Sequence, residues 1–428
     1  MSTSNDIIVF EKKWLELEIY INLHYYKPDM EALRLLICVY ITHYYYPSPP
    51  AWVCLVGPPG SGKTEIGLRP LESMANIHTV SELTTNSFLS GFGDKNGILD
   101  KLTPVPNDKG KTHGIIVFPD FTTTLLSKDQ YTRNEIMGQM RRVYDGYFEK
   151  KTGNKDKMLQ WKGKVTCIAA ATPDIEEHWA VYRDMGERWL NLRWKGFDDT
   201  YETRKKVAEY ADRQEGKEKE IREGLVKRIQ DLIANISSGP QTATSNQELM
   251  ATSILLEECR VNVKREFMGR GYQVMGLGNK QHSTRTPKTL GLIAKASACL
   301  RRDDKIEPID IHLAKRIALD SIPSKRMAIL DILLKIYPEI ITKIELISAT
   351  GMAVSSFERV LEDMRYLKLI DVTQSSKHRQ EGIELDELNS DDVTNWETVP
   401  YYFTRPKKDA KIRLHKDIIP VLMDTKLL

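Results

Sequence analysis

Residues Gly57-Pro-Pro-Gly-Ser-Gly62-Lys63-Thr64 constrain this chain more than any other stretch. They fit the pattern GxxxxGK followed by Ser or Thr, which demands an unusual backbone. Glycines let successive N–H groups turn inward around an anion, and a helix that begins where the loop ends adds positive potential. The flanks agree: Trp52–Val56 is an apolar run of strand length, and 65–74 reads as a helix. Strand, glycine loop and helix in that order predict a phosphate-binding loop made of Gly57, Pro58, Pro59, Gly60, Ser61, Gly62, Lys63 and Thr64. In such a loop the lysine reaches the β- and γ-phosphates and the hydroxyl of Thr64 ligates magnesium, so ATP and Mg2+ are the expected cofactors.

The rest of the chain sorts around that loop. With 428 residues, more than one domain is expected. Residues 11–46 read as two helices, the second bounded by Pro28 and Pro47. Strand-like runs at 79–83, 114–118 and 165–171 alternate with helical spacing at 132–144, where Ile136, Met140 and Val143 share a face. Alternation of this kind predicts an α/β fold, a parallel sheet flanked by helices. After residue 194 the pattern turns helical: a highly charged segment at 203–236, a polar linker at 237–245, a helix at 248–268, then helices at 286–301 and 308–320. The expected divisions are an N-terminal helical segment (1–50), an ATPase core (51–200), an α-helical insertion and lid (201–322) and a last unit (323–428).

Composition sets limits on the partners. A net charge of +3 is too small for bulk-charge binding of nucleic acid, so any such binding must come from local clusters. Five scattered cysteines, without a CxxC pair, fit a reducing compartment. No apolar run reaches the roughly 18 residues that span a bilayer, and the first residues lack the layout of a signal peptide. A cytoplasmic protein without a membrane partner is expected.

His113–Phe118 is an apolar strand leading to Pro119-Asp120-Phe121, as a strand carrying the magnesium-shell acid should be. A glutamate that polarises the attacking water usually follows that acid. Here Phe121 follows. Two registers are open: Asp120 is the magnesium-shell acid and Phe121 replaces the base, or Asp120 is the base and Pro119 stands in place of the magnesium ligand. In either register slow hydrolysis is expected, unless an acid from elsewhere serves.

Further motifs carry a resemblance to a known family. Cys167-Ile-Ala-Ala-Ala-Thr172-Pro173 resembles the sensor-1 segment of the minichromosome maintenance (MCM) helicases, which are AAA+ ATPases, with Thr172 in the sensor position. Gly186-Glu-Arg188-Trp189 is similar to that family's arginine-finger segment; Arg188 is the matching residue and Arg193 a nearby alternative. Residues 145–164 resemble the hairpin that precedes sensor 1, with Lys150, Lys151, Lys155, Lys157, Lys162 and Lys164 along it. In ring helicases such hairpins face the pore and track nucleic-acid phosphates. Ser283-Thr-Arg285-Thr-Pro resembles the start of the MCM lid, so Arg285 matches sensor 2. The resemblance spans about residues 50 to 320. It implies an AAA+ core and lid, a homo-oligomer in the form of a hexameric ring, and a nucleotide shared between subunits: Lys63, Thr64 and Asp120 on one side, Arg188 and Arg285 from the neighbour. The departures are Phe121, the charged segment at 203–268 and the lack of a zinc-binding N-terminal domain.

Residues 343–372 resemble a winged helix-turn-helix, with Gly351 at the turn and an apolar stripe of Ile344, Ile347, Val354, Phe357, Val360, Leu361, Met364 and Leu367. Ser355, Ser356, Arg359 and Arg365 then fall on or near the recognition helix and 376–379 on the wing. Glu358, Glu362 and Asp363 oppose DNA contact electrostatically, and the fold also serves to dock proteins. The leading expectation is a ring-forming ATPase motor of viral or mobile-element type, a DNA helicase or translocase acting in replication. The alternatives are a slow ATPase switch or scaffold that recruits a partner, and a regulator or defence ATPase that uses the winged helix for recognition.

Overall fold

A computed structural model describes residues 4–47, 49–90, 97–106, 108–126, 128–151, 158–177, 188–198, 200–234, 236, 240, 246–269, 272–278, 284–373 and 410–428. The chain forms two compact units, residues 1–256 with 282–322, and 257–281 with 323–428. Among the described residues no helix is long and apolar enough to cross a membrane.

The first unit is built on a seven-stranded, mostly parallel sheet. Its strands are β1 (Trp52–Val56), β2 (Ile77–Thr79), β3 (Thr103–Pro104), β4 (Lys111–Phe118), β5 (Tyr147–Lys151), β6 (Met158–Ala171) and β7 (Trp189–Arg193). The parallel order is β2-β4-β6-β1-β7, with β3 added antiparallel to β4 and β5 antiparallel to β6. Every side chain of β1 is buried, as expected for a central strand covered on both faces. Trp52, Phe118, Phe121, Phe148, Trp161 and Trp189 join one apolar cluster with the inner face of α5 (Gln130–Tyr144). A second helix, α2 (Met30–Tyr45), lies against β4 and β6.

Polar groups fix α2 at both ends. Asp29 caps its first turn through Ala32 N–H and also accepts two N–H groups of Arg316, at 2.8 and 2.5 Å. At the other end Lys164 Nζ donates to the carbonyls of Thr42, His43 and Tyr46. Sequence spacing places Lys164 on a basic hairpin. Its ammonium is instead turned inward, where burial pulls its pKa down to about 8, and it satisfies carbonyls that a helix end leaves unpaired.

The helical expectations after the sheet need adjustment. Helix α6 (Asp174–Glu177) precedes β7, and the charged segment that follows is two helices, α7 (Tyr201–Gln214) and α8 (Glu218–Ile233). The next, α9 (Gln247–Arg260), stops well short of residue 268. Val263-Lys-Arg-Glu-Phe267 alternates with period two, and as β8 it pairs antiparallel with β9 (Tyr272–Leu277). Then α10 (Arg285–Leu300) and α11 (Pro308–Asp320) belong again to the first unit.

The second unit holds α12 (Ser324–Ile336), α13 (Lys343–Thr350), α14 (Val354–Tyr366) and a three-stranded antiparallel sheet ordered Ile341–Thr342, Lys411–Leu414, Ile370–Thr373. Gly351 turns between α13 and α14 at φ 64, a left-handed conformation that glycine adopts without strain. Phe357, Leu361, Met364 and Leu367 are buried, but Ile344 and Val354 of the expected stripe are exposed, and Leu346 is buried instead. Residues 376–379 lie outside the described residues.

Candidate nucleotide site

Backbone and indole contacts shape the loop. Gly57 N–H donates to Ala171 O at 3.1 Å, so the loop leaves β1 level with the end of β6. Gly60 and Gly62 sit at φ 73 and 83, which turns the chain sharply without a Cβ penalty. Trp194, just past β7, donates its indole N–H to Ser61 O at 2.9 Å and so braces the loop. Within this frame Ser61 Oγ donates to Pro58 O at 2.8 Å, and Lys63 Nζ donates to the same carbonyl at 3.1 Å. Lys63 is 9% exposed, and burial pulls its pKa down against the opposing charge of Asp120. An anion in the loop would offset that desolvation, because an ammonium carries three donors. The loop continues into a π-type turn, Lys63–Leu68, that carries Thr64.

Asp120 follows β4 and accepts Thr123 N–H at 3.0 Å, at the start of α4 (Phe121–Leu126). Its charge is felt at Lys63. Phe121 points away from solvent altogether. It is fully buried, with its ring centroid 5.3 Å from that of Phe118 and 5.2 Å from that of Trp189. Thr122 meets Thr172 instead: its Oγ1 accepts Thr172 N–H at 2.9 Å, and Thr172 Oγ1 donates to Asp174 Oδ2 at 3.1 Å. Because β6 lies between β1 and β4, Thr172 falls between the strand ends that carry the loop and Asp120. Sequence reading missed Thr122 and Asp174, although both stand two residues after a residue it did single out.

The two arginines lie elsewhere. Trp189 pairs with Trp52 and Arg193 with Val56, so Arg188 precedes the starting end of β7 while the loop leaves the finishing end of β1. Those ends are about 13 Å apart along a strand. Arg188 Nη2 donates to both carboxylate oxygens of Asp145, at 3.2 and 3.0 Å, and its guanidinium lies 5.4 Å from the Tyr144 ring centre. Arg285, the first residue of α10, approaches the same carboxylate at 3.7 Å. The alternative, Arg193, is occupied otherwise: its guanidinium donates to Glu176 at 2.8 Å and to Ile322 O at 2.5 Å.

β5 and β6 form a hairpin, Tyr147 opposite Lys162 and Lys151 opposite Met158. Lys150 is committed within the fold, donating to Thr85 O at 2.7 Å and to Asn86 Oδ1 at 2.6 Å. Lys151 is exposed. Lys155 and Lys157 lie outside the described residues. In the second unit Arg359 is exposed on α14, and the neighbouring acids are paired. Glu358 meets Lys343 at 2.8 Å, Glu362 meets Arg265 at 2.7 Å, and Asp363 meets Arg265 and Arg326 at 2.5 and 3.1 Å. These cations compensate the acids that the sequence counts against DNA contact.

Beside the loop is a cavity of about 270 Å³ that no local sequence pattern announces. One wall is the loop and its first turn, residues 60–66; the others are Tyr25 and Tyr26 after α1 (Ser4–His24), Phe197, and Val207 and Tyr210 of α7. A second cavity reaches the loop's tip, where Arg204 of α7 joins Pro58 and Pro59. No protein-family model matches the chain, and no curated protein matches it.

Proposed function

We propose that the chain is an AAA+-type ATPase whose subunits share each ATP, a hexameric ring motor that acts on DNA in the manner of the MCM helicases. The observation that carries this reading is the displacement of Arg188 and Arg285 to the starting end of the strands, together on Asp145 and away from the loop of their own chain. Arginines so placed serve a nucleotide only if it belongs to a neighbour, where a guanidinium stabilises the charge that develops on the transferring phosphoryl group. The loop, Thr172 and Asp120 at the finishing end supply the other half. Residues Thr64 and Asp120 fit a magnesium ion, hard oxygen donors beside a phosphate cradle; bound there, it would neutralise charge between the β- and γ-phosphates. Lys63 would hold the phosphates, and Thr172 and Asp174 would orient the attacking water. In this reading α10 and α11 form the AAA+ lid, and the second unit is a winged helix that contacts DNA or a protein partner.

The burial of Phe121 favours a second reading, a slow switch or scaffold, since the position after Asp120 offers no carboxylate. Single-turnover hydrolysis with and without single-stranded DNA separates the two. A motor accelerates on DNA; a switch hydrolyses at one slow rate regardless.

A further inference from the structure

Helix α7 stands over the phosphate loop yet contributes no buried residue. That is unusual for an amphipathic helix, which normally hides its apolar stripe. The stripe here is Val207, Tyr210 and Ala211, and it lines the cavity beside the loop. Opposite it, Tyr26 gathers two other rings, Phe197 at 5.8 Å and Tyr210 at 5.9 Å between centroids. All three rings are only partly buried, and all three line the cavity.

The cavity's position tells which part of a nucleotide would enter. Asp120 and Thr172 mark the terminal-phosphate end of the loop. The cavity is bounded by residues 60–66, including Thr64, Glu65 and Ile66 beyond the lysine, and not by Asp120 or Thr172. A triphosphate seated in the loop would therefore send its nucleoside this way. At about 270 Å³ the space is a little below the roughly 300–1,000 Å³ of sites for drug-sized ligands, which suits a base with its sugar.

The wall chemistry is one-sided. Of the α7 side chains on the cavity wall, Tyr210 Oη donates to Asn22 O at 3.4 Å and Gln214 Nε2 donates to His24 O, both toward the last turn of α1. Glu65, the carboxylate on the wall, accepts from Arg222 at 2.9 Å. Rings are left to do the holding. We infer that this cavity is a stacking site for the purine of a bound nucleoside triphosphate, covered by α7, and that it accepts adenine and guanine alike because their edges are not read. The inference rests on the loop being a nucleotide site.

Calorimetric titration of the full chain with ATP, GTP and inorganic tripolyphosphate tests it. Stacking of a base on aromatic side chains contributes roughly 5- to 150-fold in affinity. The expected result is that ATP and GTP bind the wild type within about tenfold of each other, roughly one stacking contact's range. Phe197→Ala with Tyr210→Ala should bring both nucleotides down toward tripolyphosphate, whose own affinity stays unchanged. Phe197→Tyr with Tyr210→Phe, which keep the rings, should restore them. Unchanged ATP affinity in the double alanine variant, or a hundredfold preference for ATP over GTP, would overturn the inference while leaving the loop intact. Failure of the wild type to bind tripolyphosphate or ATP better than Lys63→Ala would overturn both it and the nucleotide reading.

Discussion

Arg188 meets Asp145 through both carboxylate oxygens, at 3.2 and 3.0 Å, and in the same place Asp145 also faces Arg285 at 3.7 Å. One carboxylate thus sets the spacing of two guanidiniums that would otherwise repel. It is a C-terminal cap of α5, so the position of that helix fixes where the pair stands. Two cations held at a surface by one anion form a site suited to a more highly charged anion such as a triphosphate.

Replacement of Asp145 by Asn should therefore loosen the arginines without touching the loop. Turnover per site is expected to fall about tenfold or more, with nucleotide affinity unchanged, the pattern of an interaction made chiefly in the transition state. Steady-state kinetics beside nucleotide titration reads this directly. A rise in KM with unchanged kcat would assign Asp145 to ground-state binding instead.

Restoring a glutamate after Asp120 looks like a repair on paper. Phe121 is fully buried against Phe118 and Trp189, so Phe121→Glu would put a carboxylate into an apolar cluster. The expected outcome is a loss of about 3 kcal/mol of stability or more, seen as a large drop in thermal midpoint, and no gain in hydrolysis. A variant as stable as the wild type and faster would show that residue 121 faces the nucleotide.

The hairpin lysines should divide by burial. Lys151→Glu removes an exposed charge, and should weaken single-stranded DNA binding and lower its salt slope by about one unit while leaving the fold intact. Lys150→Ala removes the tie to Thr85 and Asn86, and should increase protease sensitivity of the 84–89 loop instead. Equal effects of both on DNA binding, with no change in proteolysis, would contradict this division.

Acid should destabilise the first unit through His43. Its Nδ1 bonds Thr166 at 3.0 Å and its Nε2 bonds His113 at 3.1 Å, inside the sheet–helix contact. Burial, with the nearby Lys164 and His113 charges, pulls its pKa down to about 3, so it stays neutral when folded. The unfolded chain takes up the proton near pH 6.5, and between that value and about 3 it binds more protons than the folded one. Stability is then lost as pH falls through this window, by about 1.4 kcal/mol per pH unit for one group. Unfolding measured at pH 7 and pH 5.5 for wild type and His43→Asn should show a smaller acid loss in the variant; equal losses would refute the assignment.

Much of the sheet was legible because its signals are local. β1 and its loop combine a buried apolar run with glycines whose φ is positive, and few folds use that order. Arg285 at the first position of α10 was legible in the same way. The strand β7 was not, since Trp189–Arg193 is short and its burial comes from pairing with β1, a long-range event. Lys164 misled because a lysine in a polar run looks exposed, whereas three carbonyls at the end of α2 claim it. The base cavity was beyond reach for a related reason: Tyr26, Phe197 and Tyr210 come together only when α1 and α7 fold onto the loop.

Mixing two inactive variants tests the shared nucleotide most directly. Lys63→Ala removes the cradle and Arg188→Ala removes the neighbour's contribution, which in such ATPases is about 10³-fold or more in rate. Each alone should be inactive, and subunits mixed before assembly should regain hydrolysis, because some interfaces then join an intact Lys63 to an intact Arg188. A mixture that co-assembles and stays inactive, or an Arg188→Ala protein that hydrolyses ATP at the wild-type rate, would contradict the account.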